Sequence, residues 1–175
     1  MITGTYTVIR SADPDDARDL RRFYNPSRPR PALLDRRREV PIPTLDELRE
    51  SLSQKEIGAD LYVVEDLTGT IRGYCTLRTA SAELRYAEIM LLLHDDADYE
   101  TPLAAEAMET MIQLGFQEKG LRKILAHTLE VDAAFHRILV ARGFKSDGVQ
   151  REILYFEGRF HDMETLSLFN DQALS

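Results

Sequence analysis

The sequence predicts one α/β domain of the α+β kind, with about seven strands and about four helices, and three patterns carry the prediction. Apolar and polar residues alternate over short runs such as Tyr6-Thr7-Val8-Ile9-Arg10, the period of a half-buried strand. They recur instead at three- and four-residue spacing in Leu103, Ala104, Ala107, Met108, Met111, Ile112 and Phe116, the period of an amphipathic helix. Segments of the two kinds follow one another with short connections over 175 residues, a length that suits a single domain spanning 1–175. With 43% apolar residues, a chain of this size can hide roughly 70% of its unfolded surface.

Tyr6 to Arg10 forms the first strand. Asp13-Pro14-Asp15-Asp16 then opens a helix to about Phe23, because acids and an early proline suit a helix N-terminus. Between Asn25 and Pro43, the prolines Pro26, Pro29, Pro31, Pro41 and Pro43 alternate with Arg28, Arg30, Arg36, Arg37 and Arg38. Prolines at that density forbid a continuous helix, so this is a loop. Thr44 as N-cap and Glu47 three residues on make a capping box that starts a second helix, running to about Gln54. Leu61 to Asp66, Ile71 to Thr79 and Leu84 to Leu93 read as three strands of an antiparallel meander, with Leu67-Thr68-Gly69-Thr70 as a hairpin turn. Pro102 to Lys119 is the most strongly patterned helix, with proline at its first position and Gly120 as its stop. A strand from Leu121 to Leu129 follows, then a helix from Asp132 to Arg142 stopped by Gly143. The last two strands, Val149 to Phe156 and Arg159 to Phe169, turn at Glu157-Gly158.

Charge and cysteine content exclude several function classes. The chain has 22 Lys+Arg against 30 Asp+Glu, a formal charge of −8. A generic nucleic-acid binder draws its affinity from clustered basic residues, so nucleic acid is a disfavoured partner. No run approaches the roughly 18 uninterrupted apolar residues of a membrane helix, and the first residues lack the basic and apolar regions of a signal peptide. A soluble, cytoplasmic protein with no membrane partner is expected. The single cysteine, Cys75, leaves no internal disulfide and no cysteine-based zinc cluster, and a buried apolar thiol is its ordinary role. Residues 1–40 carry 9 basic and 6 acidic side chains, whereas Tyr86 to Glu118 contains no Lys or Arg at all. That window holds Glu88, Asp95, Asp96, Asp98, Glu100, Glu106, Glu109 and Glu118.

The element order, with Ala141-Arg142-Gly143-Phe144, Gly148-Val149-Gln150-Arg151-Glu152 and Glu157-Gly158-Arg159-Phe160-His161-Asp162, resembles the GNAT acetyltransferases, and especially their ribosomal-protein N-terminal acetyltransferase branch. The resemblance spans nearly the whole chain. It implies a mixed, mostly antiparallel seven-stranded sheet flanked by about four helices and splayed between its fourth and fifth strands. The pantetheine arm of acetyl-CoA would enter that gap and pair with backbone groups left open there. In the family, a Gln/Arg-x-x-Gly-x-Gly/Ala loop after the fourth strand holds the pyrophosphate on backbone N–H groups at a helix N-terminus. Here that register falls near Ala97-Asp98-Tyr99-Glu100-Thr101-Pro102 and lacks both glycines, so the loop is degenerate. Glu100 adds a side chain and a charge, and Pro102 removes an N–H. Asp95, Asp96 and Asp98 are expected to repel a polyanionic cofactor, and Asp98 or Glu100 is a candidate for the place a phosphate would take. By resemblance the cofactor-binding residues are Leu91, Leu92, Leu93, Tyr99, Glu100, Thr101 and Leu103. Asp132, standing where the family has an asparagine, joins them, although its ordinary role is an N-cap.

Acetyl transfer to an amine needs a base for the ammonium, a donor to the thioester oxygen and an acid for the leaving thiolate. Glu88 lies where the family often places its base; the ordinary alternative is an acid paired with Arg78 or Arg85. The backbone N–H of Leu92 or Leu93 is the candidate oxyanion donor. The family's thiolate-protonating tyrosine would fall near Leu139, so Tyr155 and His136 are the candidate substitutes, with an exposed helical histidine as the plainer reading of His136. His94 is a candidate base or cap or, more simply, a solvated loop histidine, and His161 with Asp162 is expected to fix the terminal hairpin. No spacing defines a metal site, although His94, Asp95, Asp96 and Asp98 could attract a divalent cation bridging to phosphates.

Two functions compete. The first is an N-acetyltransferase moving an acetyl group from acetyl-CoA to a primary amine of a small molecule or a protein N-terminus. The second is a non-catalytic binding or regulatory module of the same fold with a decayed CoA site. An RNA-contacting role for the arginine loop is disfavoured by the acidic remainder. In the family, that loop lies at the acceptor, where its arginines would meet an acidic group. A homodimer is compatible with the sequence.

Overall fold

The computed structural model describes residues 1–24, 43–54, 59–79, 83–156 and 158–171. Its strands are β1 (Ile2–Thr3), β2 (Val8–Ser11), β3 (Ala59–Glu65), β4 (Ile71–Thr79), β5 (Tyr86–Leu93), β6 (Lys123–Leu129), β7 (Lys145–Phe156) and β8 (Arg159–Phe169). Its helices among the described residues are α1 (Ala17–Leu20), α2 (Leu45–Ser53), α3 (Pro102–Gln113) and α4 (Ala133–Ala141). The strands form one eight-stranded sheet in the order β1-β2-β3-β4-β5-β6-β8-β7, antiparallel except for β5 and β6. The arginine loop from Arg28 to Arg38 lies outside the described residues.

The eighth strand, β1, is too short for alternation to reveal. A turn in which the Gly4 N–H donates to the Thr7 carbonyl at 2.8 Å folds it back, pairing Ile2 with Ile9 and Thr3 with Val8. The first helix is divided into a 3₁₀ turn Pro14–Asp16, α1, and a 3₁₀ turn Arg21–Phe23. Thr44 and Glu47 cap α2 reciprocally, as their spacing predicts. Pro102 stands at the first turn of α3, which ends in a π-helical turn, Leu114–Glu118. Gly115 in that turn lies so close to β6 that a Cβ there would come within 3.0 Å of Ile124 Cδ1. The last hairpin begins at Lys145 rather than Val149, because bulges after Ser146 and Gln150 break the period-two pattern that would reveal its start.

Each sheet face has its own core. Leu77, Ala87, Ile89, Leu91, Ile124, Ala126 and Leu166 face α3 and α4, which contribute Ala104, Met108, Met111, Ile138 and Leu139. Val63, Tyr74 and Leu92 face the other side, against Ala17, Leu20, Phe23 and Leu48. Cys75 is buried with the first set, and burial pushes its thiol pKa up. No helix among the described residues is long and apolar enough to cross a membrane.

Candidate active site

Among the described residues the one parallel pairing is short, and its end makes an opening. β5 and β6 pair only at Tyr86 with Lys123, Ala87 with Ile124 and Glu88 with Leu125. β4 meanwhile stays paired with β5 through Leu93. The His94 N–H donates to the Arg72 carbonyl at 2.9 Å, so even-numbered residues of β5 turn their backbone polar groups toward β4. Those of Leu91 and Leu93, past the last β5–β6 pair, therefore face the opening. Of the two expected oxyanion donors, Leu92 points its N–H at β4, and only Leu93 presents one to the gap.

That N–H already has a partner. The Leu93 N–H donates to the Tyr99 hydroxyl at 3.0 Å, and the hydroxyl donates to the Leu91 carbonyl at 2.9 Å. Tyr99 is 3% exposed, its ring packed in the core beneath α3. The resemblance assigns Tyr99 to the cofactor; the structure has its side chain turned inward onto the strand edge.

Glu88 stands at the fork, the last β5 residue to pair with β6. It is opposite Arg78 in register, while Arg85 turns away to donate to the Gly120 carbonyl. His127 of β6 brings Nε2 to 3.8 Å from Glu88 Oε1, and its Nδ1 lies 2.9 Å from the Thr165 hydroxyl on β8. Glu88, His127 and Thr165 thus line one face of the sheet, that of Leu129 and Met163, which pack with Met90. Sequence reasoning misses His127. Its only signal is a lone imidazole in the otherwise uncharged run Ile124 to Leu129, and linking it to Glu88 needs the β5–β6 register.

The other candidate acids are elsewhere. His136 on α4 places Nε2 3.0 Å from Glu164 Oε2, and Glu164 and Thr165 are consecutive on β8, so His136 lies across the sheet from Glu88. Tyr155 packs edge-on against Phe160 at 5.0 Å, near the hairpin turn and beyond Leu129–Met163, the last β6–β8 pair. It is 61% exposed. Leu139 is fully buried in the core.

The acidic loop is held by cations from outside its own stretch. Arg72 on β4 grips Asp98, with Nε to Oδ2 at 3.1 Å and the terminal nitrogen to Oδ1 at 2.6 Å. Arg137 on α4 pairs with Glu100. Asp95 Oδ1 accepts the Ala97 N–H at 2.9 Å, capping the 3₁₀ turn Asp96–Glu100. Asp98 and Glu100, the expected occupants of a phosphate's place, are each paired with an arginine, Asp98 with Arg72 and Glu100 with Arg137. Thr101 gives both its N–H and its hydroxyl to the Asp98 carbonyl. With Pro102 lacking an N–H, Leu103 and Ala104 supply the first-turn donors of α3. Asp132 is buried at the head of α4, where its side chain makes no capping bond.

His94 is not a solvated histidine. Its ring stacks on Phe23 at 4.2 Å, and burial lowers its pKa to about 4. Among the described residues no group of three or more His, Cys, Asp or Glu side chains is placed to hold a metal ion.

A model of the acetyltransferase (GNAT) domain family matches residues 9–165. A spermidine N-acetyltransferase from Vibrio cholerae in complex with CoA and spermine superposes with a TM-score of 0.80 at 20% identity, covering 98% of this chain and 100% of that one. A dodecameric spermidine N-acetyltransferase from the same organism gives 0.77 at 20% identity, with 98% of each chain covered. A structure described as a probable acetyltransferase gives 0.79 at 20%, covering 97% and 96%. No curated protein matches the sequence.

Proposed function

The chain belongs to the GNAT acetyltransferase family, and from that premise we propose that it transfers an acetyl group from acetyl-CoA to a primary amine of a small molecule. The observation that carries this reading is Glu88 at the fork of β5 and β6, with His127 beside it. A carboxylate at the mouth of a gap in a sheet can take a proton from an ammonium that enters on its own face, while the acyl donor lies along the strand edge.

The residues present fit acetyl-CoA along the pantetheine. Leu91 C=O and Leu93 N–H stand on an edge that β6 leaves, and a hydroxyl already bonds to both, so a polar group is accommodated there. Leu103 and Ala104, with Arg137 nearby, would hold the phosphates. Bound there, acetyl-CoA supplies an activated acyl group as a thioester. Glu88 accepts the ammonium proton, and His127, oriented by Thr165, stabilises the carboxylate or relays the proton outward. His136, backed by Glu164 on the opposite face, is our candidate for returning a proton to the departing sulfur. Tyr155, set apart at the hairpin, is the weaker candidate.

For the acceptor we place polyamines first, since the Vibrio cholerae proteins of this fold are spermidine N-acetyltransferases. Their charge suits a protein whose own formal charge is −8. A protein N-terminus is the next acceptor, favoured by the string Gly158-Arg159-Phe160-His161-Asp162. Assembly of several copies belongs to the same reading: Val149, Ile153, Tyr155 and Phe160 leave an apolar surface exposed on the last hairpin. Cytoplasmic residence accompanies it. A second reading, a non-catalytic module, is favoured by Pro102 and by Leu139 in place of a tyrosine.

The deciding experiment incubates the protein with acetyl-CoA and either spermidine or N-terminal peptides, following thiol release and acetylated product by mass spectrometry. Glu88→Gln is expected to lower kcat by roughly 10²-fold or more, with cofactor affinity retained. Saturable cofactor binding without turnover on any amine supports the module instead; absence of binding at millimolar CoA defeats the enzyme reading.

A further inference from the structure

The Tyr99 hydroxyl bonds to the strand edge as one residue of a neighbouring parallel strand would. Such a residue donates to one carbonyl and accepts from the N–H two positions on, and here those two groups are the Leu91 carbonyl and the Leu93 N–H. β6 has stopped pairing at Glu88, so the hydroxyl closes the edge where the parallel ladder would otherwise continue. Its placement is over-determined. Asp98 before it is gripped by Arg72 from β4, Glu100 after it pairs with Arg137 from α4, and Asp95 caps the turn that presents the ring.

We propose that Tyr99 is a built-in competitor for the pantetheine-binding edge, and that a CoA-bearing ligand must displace its hydroxyl from Leu91 and Leu93 before its own amides can pair there. The inference rests on the acetyl-CoA reading above and deepens it. Cofactor affinity is set by the difference between two sets of hydrogen bonds rather than by one set, and it is lowered by whatever holds Tyr99 in place. Displacement also disturbs the residues on either side of Tyr99, so the cofactor's arrival is felt at the Arg72–Asp98 and Arg137–Glu100 pairs.

Tyr99→Phe keeps the buried ring and removes only the hydroxyl. Titrated calorimetrically with CoA, this variant is expected to bind roughly five- to tenfold more tightly than wild type, the effect of one or two hydrogen bonds no longer broken on binding. Equal or weaker binding overturns the competition. Amide exchange in the absence of cofactor reads the cap by itself. The Leu93 N–H should exchange slowly in wild type and faster in Tyr99→Phe, and an unchanged rate overturns the cap. Should Tyr99→Phe not fold, wild type labelled with ¹³C-tyrosine decides: the Tyr99 ring resonance moves at saturating CoA if the hydroxyl is displaced, and a fixed resonance at saturation overturns displacement. Failure of wild type and variant alike to bind CoA defeats the acetyl-CoA reading and the competition with it, while Leu93 exchange still decides whether Tyr99 closes the edge.

Discussion

Arg72 and Asp98 form a two-pronged ion pair, 3.1 and 2.6 Å, that ties the start of β4 to the turn after β5. Asp98 is 8% exposed, so losing this guanidinium would leave a buried carboxyl group without its two hydrogen-bond donors. Arg72→Ala is expected to destabilise the fold by about 2–3 kcal/mol, below the full cost for a buried pair because Arg72 reaches solvent. Arg72→Lys should restore only part, because an ammonium cannot match both carboxylate oxygens at once. Urea denaturation of the three proteins checks both; equal midpoints for Arg72→Ala and wild type would defeat the prediction.

The N-terminus is fastened by another acid of the same window. Glu106 on α3 accepts the N–H groups of Thr5, Tyr6 and Thr7 and the Thr7 hydroxyl, at 2.7 to 2.9 Å. Burial opposes its ionisation, but these donors outweigh burial and hold its pKa below the usual value. The contribution is therefore complete above the ordinary glutamate pKa and fades as pH falls through the lower folded value. Glu106→Ala should cost about 1–3 kcal/mol at neutral pH. Gly4→Ala should have a similar effect, since its Cβ would come within 2.5 Å of the Glu106 carboxyl group. Thermal melts of both variants, with exchange at Thr5 to Thr7, test this.

The same two acids show what a sequence can and cannot reveal. Their window from Tyr86 to Glu118 stands out by composition, and its strand, turn and amphipathic helix follow from period and from Pro102. The partners of its acids do not, because Arg72 reaches Asp98, Arg137 reaches Glu100, Arg142 reaches Glu109 and the backbone of Thr5 to Thr7 reaches Glu106 from distant parts of the chain. An acidic loop that reads as repulsive toward phosphate is thus substantially neutralised on folding. Glu88 is legible because it sits in a recognisable strand, whereas His127 becomes meaningful only through the β5–β6 register. β1 escapes notice because two residues carry no period, and the start of β7 because Gly148 and Glu152, both at positive φ, mark bulges.

His94 predicts a pH effect of known sign. Burial lowers its pKa from 6.5 to about 4, against Phe23 and near Arg22 and Arg72. Between those values the unfolded chain takes up a proton that the folded chain refuses, so stability is full above pH 6.5 and declines as pH falls toward 4. The loss attributable to this ring is on the order of 2–3 kcal/mol. His94→Leu should flatten urea midpoints measured between these pH values, and an unchanged slope would show that other groups carry it.

The pairing of Glu100 with Arg137 makes the phosphate end of the site testable. Glu100 engages the cation beside the first turn of α3, and Pro102 denies that turn an N–H. Glu100→Gly frees Arg137 for an anion, and Pro102→Gly adds a donor beside those of Leu103 and Ala104. The double variant should bind CoA roughly tenfold or more tightly than wild type, a gain of about 1.4 kcal/mol or more. It should also lose some stability, because glycine at both positions weakens the start of α3. Adding Arg137→Ala should remove much of the gain, which separates the effect of the freed cation from that of the restored N–H. Calorimetric titration of the three proteins with CoA and with dephospho-CoA decides the matter: an affinity unmoved by Glu100→Gly with Pro102→Gly would mean that the pyrophosphate does not lie at this helix end.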